Sequence, residues 1–174
     1  GEQVEKIKAG NALYHKTVFG DSSIGTPGTR DEMLPGWYLS CLTDGYIDVN
    51  KSLGLNGWCS EIKDAPFATE IKIDLGETKT LSSVTLHPVD AKTGYYNYFP
   101  KSYTLQYSVN GTSWTNIETV TNATVKDYAT HDLHGTDVRY IRLLVTDMHS
   151  IGGKYAAALS EIEATVQEDN DVVF

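Results

Sequence analysis

A chain of 174 residues with 40% hydrophobic content has enough material for one well-buried domain and too little for two. Its formal charge of −9 repels phosphate backbones and anionic headgroups, and no basic cluster offsets it, which excludes nucleic acid as a partner. No apolar run approaches the roughly 18 residues that a transmembrane segment needs.

Residues 1–10 are polar and charged and read as a linker or edge segment, residues 11–166 as one domain, and residues 167–174 (QEDNDVVF) as an acidic tail. Strand signals then recur with turns between them. Residues 70–75 (EIKIDL) alternate at Ile71, Ile73 and Leu75, and residues 81–86 (LSSVTL) follow after Gly76. Tyr103, Leu105 and Tyr107 share one face of the next strand, which spans residues 102–109. Asn110-Gly111 turns it into a partner over residues 114–120. Residues 124–133 form a weaker candidate, residues 138–146 (VRYIRLLVT) a long apolar strand suited to the sheet centre, and residues 159–166 the closing strand. No segment sustains a 3.6-residue period over ten residues. The sum is an all-β antiparallel sandwich or jelly roll.

Between the strands lie long non-periodic stretches at residues 19–37, 42–58, 89–100 and 147–158. Connections of this length in a compact domain are functional or held by a ligand or ion, and in a sandwich they gather at its ends. Eleven Tyr and three Trp against four Phe give the chain many rings with an apolar face and a polar edge, suited to half-buried strands and to wet binding surfaces alike. Cys41 and Cys59 flank one loop region, where they either pair or remain a small buried residue and a thiol. His131 and His134, three apart and without a zinc-type partner set, are expected at the surface. Sequons at Asn50, Asn110 and Asn122 matter only in a glycosylating host. No signal peptide is visible. There is no phosphate loop, nucleophile elbow or H-E-x-x-H motif, and the paired carboxylates Asp31-Glu32 and Glu168-Asp169 lie in polar segments, so no catalytic role is expected.

Seven landmarks in order resemble the discoidin, or coagulation-factor type C, family, and within it the bacterial galactose-binding-like carbohydrate-binding modules. They are LTDG (42–45), GWCS (57–60), EIKIDLG (70–76), VTLHP (84–88), PKSYTLQYSVNGTSW (100–114), RYIRLLV (139–145) and ALSEIE (158–163). The resemblance covers residues 11–166 and implies an eight-stranded jelly-roll sandwich. It also implies a structural calcium held by Asp44 and Glu161 with backbone carbonyls near Cys41 and Ser160, a donor set that suits a hard cation. The sequence departs from the family pattern after the DG turn, at residues 46–58 (YIDVNKSLGLNGW), where Asp48 is the candidate replacement ligand.

In sugar-binding relatives, recognition lies in loops at one end of the sandwich and combines an aromatic ring with His, Arg or Asn. The corresponding candidates here are Trp37, Tyr38, His87, Asp90, Tyr95, Tyr96, Asn97, Tyr98 and His149. The rings would stack on the CH faces of a sugar while polar groups bond its hydroxyls. The expected function is non-catalytic binding of a neutral or galactose-like glycan, as part of a larger secreted, periplasmic or cell-surface protein such as a glycoside hydrolase. Two other readings of the same loops are a protein-interaction or adhesion module and a structural accessory domain. An open aromatic plate favours a protein partner, and a small pocket with convergent polar groups favours a sugar.

Overall fold

The computed structural model describes residues 10–24, 37–45, 57–89, 98–124 and 127–167. Apart from Gly10 and Gln167, the expected linker and acidic tail lie outside them. Among the described residues, ten strands run in chain order: β1 (Thr17–Gly20), β2 (Trp58–Cys59), β3 (Thr69–His87), β4 (Ser102–Ser108), β5 (Thr115–Val120), β6 (Ala129–Asp147), β7 (Ser150–Ile151), β8 (Lys154–Tyr155), β9 (Ala158–Leu159) and β10 (Glu161–Val166). A 3-10 turn over Leu39–Thr43 precedes β2. No helix among the described residues is long and apolar enough to cross a membrane.

Two strands of 19 residues, β3 and β6, organise the rest. They pair antiparallel from Thr69↔Val145 to Leu86↔Ala129, with register shifts between Asp74 and Lys79 and between Leu81 and Ser83. The shifts divide this ribbon into halves with different neighbours. The first half of β3 lies between β1 and β6, and the second half of β6 continues to β4 and β5, giving a five-stranded layer. The second half of β3 lies between β10 and the first half of β6, giving a three-stranded layer. These are the eight segments of the expected jelly roll.

The sequence reading separated residues 70–75 from 81–86, and 124–133 from 138–146. Residues 70–75 and 81–86 instead share β3, and residues 129–133 and 138–146 share β6. Gly76 takes a left-handed φ of +82°, open to glycine without a Cβ penalty, and Asp74 Oδ1 accepts its N–H at 2.8 Å. The chain therefore bends there without leaving the ladder.

Burial follows the alternation that the sequence displays. Ile71, Ile73 and Leu75 from one half of β3, and Leu81, Val84 and Leu86 from the other, enter a single core cluster with Tyr103, Leu105, Ile141, Leu143 and Val145. Tyr107 packs against its edge. The turn after β4 lies at Asn110-Gly111 as expected. It is a longer loop than a two-residue hairpin: Ser108 Oγ accepts from the N–H groups of Asn110 and Gly111, and Asn110 Oδ1 accepts from those of Thr112 and Ser113.

His131 corrects the expectation of a surface pair. It is 2% exposed, while His134 lies in solvent. An odd spacing along a strand sends two residues to opposite faces, so one of the two had to point inward. His131 bridges the layers, with Nδ1 at 2.9 Å from Glu118 Oε1 and Nε2 at 2.9 Å from the Tyr103 hydroxyl. An ionised carboxylate only accepts, so Nδ1 carries the proton and Nε2 accepts from Tyr103. Burial, followed by the Glu118 charge, pushes the Tyr103 phenol well above its ordinary range. With Tyr103 1% and His131 2% exposed, this trio is a strut of which only the outer end, Glu118, meets solvent.

Tyr103→Phe is expected to strip His131 of its inner partner and to cost about 1–3 kcal/mol, the penalty for a buried unsatisfied polar atom. Urea unfolding should show a lower midpoint with an unchanged slope.

Candidate functional site

One end of the fold is built around a second, smaller core. Cys59, Val89, Tyr98, Ala156 and Ala158 form it, with Ile24, Trp37 and Ile151 packed against them. Ile24 N–H donates to the Cys59 carbonyl at 2.9 Å, and Trp37 bridges to Gly57. Indole Nε1 of the fully buried Trp58 donates to the Ser22 carbonyl at 2.9 Å. Gly57 is required here. Its φ is +114°, and a Cβ would meet the Leu159 carbonyl oxygen at 2.5 Å. The pairs Ile24 and Trp37, Gly45 and Gly57, and Val89 and Tyr98 are the roots of residues 25–36, 46–56 and 90–97. These flanking residues lie at one end of the sandwich.

A carboxyl pair lies beside these roots. Glu161 opens β10 opposite His87 and is 1% exposed. Its Oε2 accepts the Gly45 N–H at 2.8 Å. Its Oε1 is buried and has no hydrogen-bond partner. Burial, then the charge of Asp44, then a hydrogen bond with Asp44 hold the Glu161 carboxyl far above the ordinary carboxylate range.

Asp44 is positioned by the 3-10 turn that it caps, and that turn is tied to the N-terminal segment. Thr43 Oγ1 donates to the Lys16 carbonyl at 2.9 Å, and His15 N–H to the Thr43 carbonyl at 2.7 Å. Asp44 and Glu161 are the carboxyls with donor chemistry for a hard cation. No group of three or more His, Cys, Asp and Glu side chains suited to a metal gathers among the described residues. Any further ligands from that set would be backbone carbonyls, such as those near Cys41 and Ser160.

Residues 34–162 match the family model of the F5/8 type C domain. The chain belongs to that family. No curated protein matches it in sequence. Several solved structures share the fold of this type C domain. The chitosan-binding module 1 of a chitosanase/glucanase from Paenibacillus sp. IK-5 is 22% identical, with 88% of this chain and 97% of that one covered, at a TM-score of 0.61. The family 32 carbohydrate-binding module of Clostridium perfringens NanJ, solved with galactose, is 18% identical over 86% and 93%, at 0.62. The lectin domain of lectinolysin, solved with Lewis B antigen, is 13% identical over 91% and 97%, at 0.66. At these identities the likeness establishes the jelly-roll fold.

The type C domain places its expected sugar contacts unequally. Asp90, Tyr95, Tyr96 and Asn97 lie outside the described residues, as does the candidate ligand Asp48. Trp37 and Tyr38 are half-buried at the loop end. Tyr98 is 5% exposed inside the second core, which corrects its reading as a stacking ring: it anchors the loop that precedes it. A ring next to a strand is drawn into the nearest apolar cluster, and here that cluster is built from β9 and Cys59, distant in sequence.

His87 is buried, with Nε2 at 2.7 Å from Glu163 Oε1. His149 is half-buried, with Nε2 at 2.6 Å from the Ala123 carbonyl. Ser160 is buried and donates N–H to the His87 carbonyl at 2.9 Å. Cys41 and Cys59 are buried and do not form a disulfide, and burial pushes the Cys59 thiol up to about 12.

The folded domain keeps the Glu161 proton to higher pH than the unfolded chain does. In chelator, stability should therefore be fullest below the ordinary glutamate value of 4.5 and decline as pH rises above it, by up to about 1.4 kcal/mol per unit. The amide introduced by Glu161→Gln would accept from Gly45 and donate to Asp44 without titrating. Urea unfolding in chelator from pH 5 to 8 should show this decline in the wild type and a flatter profile in the variant.

Proposed function

We propose that this domain is a non-catalytic carbohydrate-binding module. It holds a neutral or galactose-like glycan through the loops at one end of its sandwich, and a structural calcium braces that end. The observation that carries the reading is that Ile24, Trp37, Val89 and Tyr98, the roots of residues 25–36 and 90–97, share one small core, beside a buried Glu161 carboxyl bonded to Gly45 at the root of residues 46–56. The sequence between Val89 and Tyr98 contains Asp90, Tyr95, Tyr96 and Asn97, an aromatic and polar set suited to sugar CH faces and hydroxyls. Family membership and the glycan-bound relatives of the same fold support it. The charge of −9 disfavours acidic polymers.

Calcium fits the residues present. A buried carboxyl with an orphaned oxygen next to a second acid is costly without a cation, and calcium takes carboxylates together with backbone carbonyls. Asp44 and Glu161 would hold it with carbonyls near Cys41 and Ser160. The bound ion would neutralise the pair and pin the 3-10 turn to β10. Affinity for a single sugar unit is expected to be weak, on the order of 0.1–1 mM. Such a module works by holding an attached enzyme or cell near its glycan, raising the local concentration. That role places it outside the cytoplasm, secreted, periplasmic or on a cell surface, within a larger polypeptide.

Calcium should raise the melting temperature of thoroughly demetallated protein and release a proton on binding, at neutral as well as at acidic pH. Identical melting with calcium and with chelator removes the metal from the reading. A broad glycan array run in calcium and again in chelator tests the sugar. The expected outcome is binding to a related set of neutral glycans, weakened in chelator. Silence in calcium moves the domain to the protein-interaction or structural readings.

A further inference from the structure

Next to the loop end, the outer face of the three-stranded layer carries an uncommon surface feature. Tyr128 is 62% exposed, the most open of the large hydrophobic side chains among the described residues. It follows directly from register. The last β3–β6 pair is Leu86↔Ala129, so Tyr128 stands one step further, across from His87. With Thr130 it points away from the core, while His131 between the layers points in. The Tyr128 ring lies 6.1 Å from the His87 ring, tilted by 46°.

His87 is itself fixed. Glu163, as an ionised carboxylate, only accepts, so Nε2–H of His87 donates to it at 2.7 Å. This turns the imidazole into a rigid wall beside the tyrosine. Glu163 retains a second oxygen and 22% side-chain exposure. On the other flank, the Thr130 hydroxyl lies 3.0 Å from that of Thr85. One ring face, one carboxylate and one hydroxyl pair thus share a surface. From β6 across β3 to β10 they span two strand spacings, roughly 10 Å. That is room for a disaccharide lying across the strands, with its CH face on the tyrosine and its hydroxyls towards Glu163 and Thr130. An aromatic face with a carboxylate acceptor beside it is the chemistry of a neutral pyranose site.

We propose that Tyr128, with the His87–Glu163 pair and Thr130, forms a subsite for a neutral hexopyranose unit on the outer face of the three-stranded layer. This inference rests on the carbohydrate-binding reading and extends its surface from the loop end onto the sheet. His87 acts as a positioning residue that holds Glu163 and walls the tyrosine, and Tyr128 is the stacking platform.

Lactose, cellobiose and chitobiose, each in millimolar excess, are the probes, titrated by calorimetry and by amide spectra in calcium. The expected result is binding of at least one disaccharide, with the amide signals of Tyr128 and Thr130 among those that move. Tyr128→Ala should weaken that binding about tenfold, the worth of one well-stacked ring, with an unchanged melting temperature. Tyr128→Trp should restore it. Tyr95→Ala and Tyr96→Ala serve as the comparison at the loop end. Wild-type affinity in Tyr128→Ala, with binding lost in the loop variants, overturns the subsite and leaves the loop reading standing. No binding of any probe by the wild-type domain overturns both.

Discussion

A carboxyl group taken almost completely out of water governs the loop end of this domain. Glu161 has one oxygen satisfied by the Gly45 amide and the other without a partner, with a second acid beside it. Such an arrangement is stable only if the group keeps a proton or meets a cation. Either way it joins the turn at residues 39–45 to the first residue of β10, across 116 positions of sequence. Gly45 can present its amide there because it adopts a left-handed φ of +85°, and Asp44 is held in place by the Thr43–Lys16 and His15–Thr43 bonds. The loop end inherits its geometry from this junction and from the close approach of Gly57 to Leu159.

The rest of the architecture serves to bring that junction and the loop roots to one end. β3 and β6 form a single ribbon whose halves belong to different layers, and their inward side chains make one core. The Tyr103–His131–Glu118 strut crosses between the layers near the end where β4 begins. Buried polar groups of this kind are costly when half satisfied and specify a unique packing when complete. The outer surface of the five-stranded layer is stitched differently. Arg142 donates to Gln106 through Nε and lies 4.1 Å from the centre of the Trp114 ring, while Gln106 donates to Asn116. That face spends its polar groups on itself, whereas the face around Tyr128 leaves a ring and a carboxylate oxygen open.

Several elements were legible from alternation alone. Tyr103 and Leu105 fall inside with Tyr107 against the core edge, as a two-residue period demands, and the buried residues of both halves of β3 follow their local pattern. The seven landmarks were sufficient for the family, because they carry order and spacing that one pattern lacks. The continuity of β3 through Gly76 was not legible. A glycine within an apolar alternation reads equally as a turn between strands or as a bend inside one, and only the partner strand decides. Tyr128 was not singled out for the same reason: its exposure depends on which strand ends opposite it.

By itself, the sequence determined the antiparallel sandwich, the face that each core residue takes, the family, and the identity of the acids at the DG turn and the last strand. These follow from local period and from ordered motifs, which need no knowledge of distant neighbours. Only the tertiary structure decided that Glu161 is buried with an orphaned oxygen, that His131 is a strut, that Tyr98 anchors a loop from inside, and that Tyr128 stands open beside His87. The physical reason is common to all four. Whether a polar or aromatic side chain is covered, paired or free to meet a ligand is set by what packs over it, and that neighbour comes from another part of the chain.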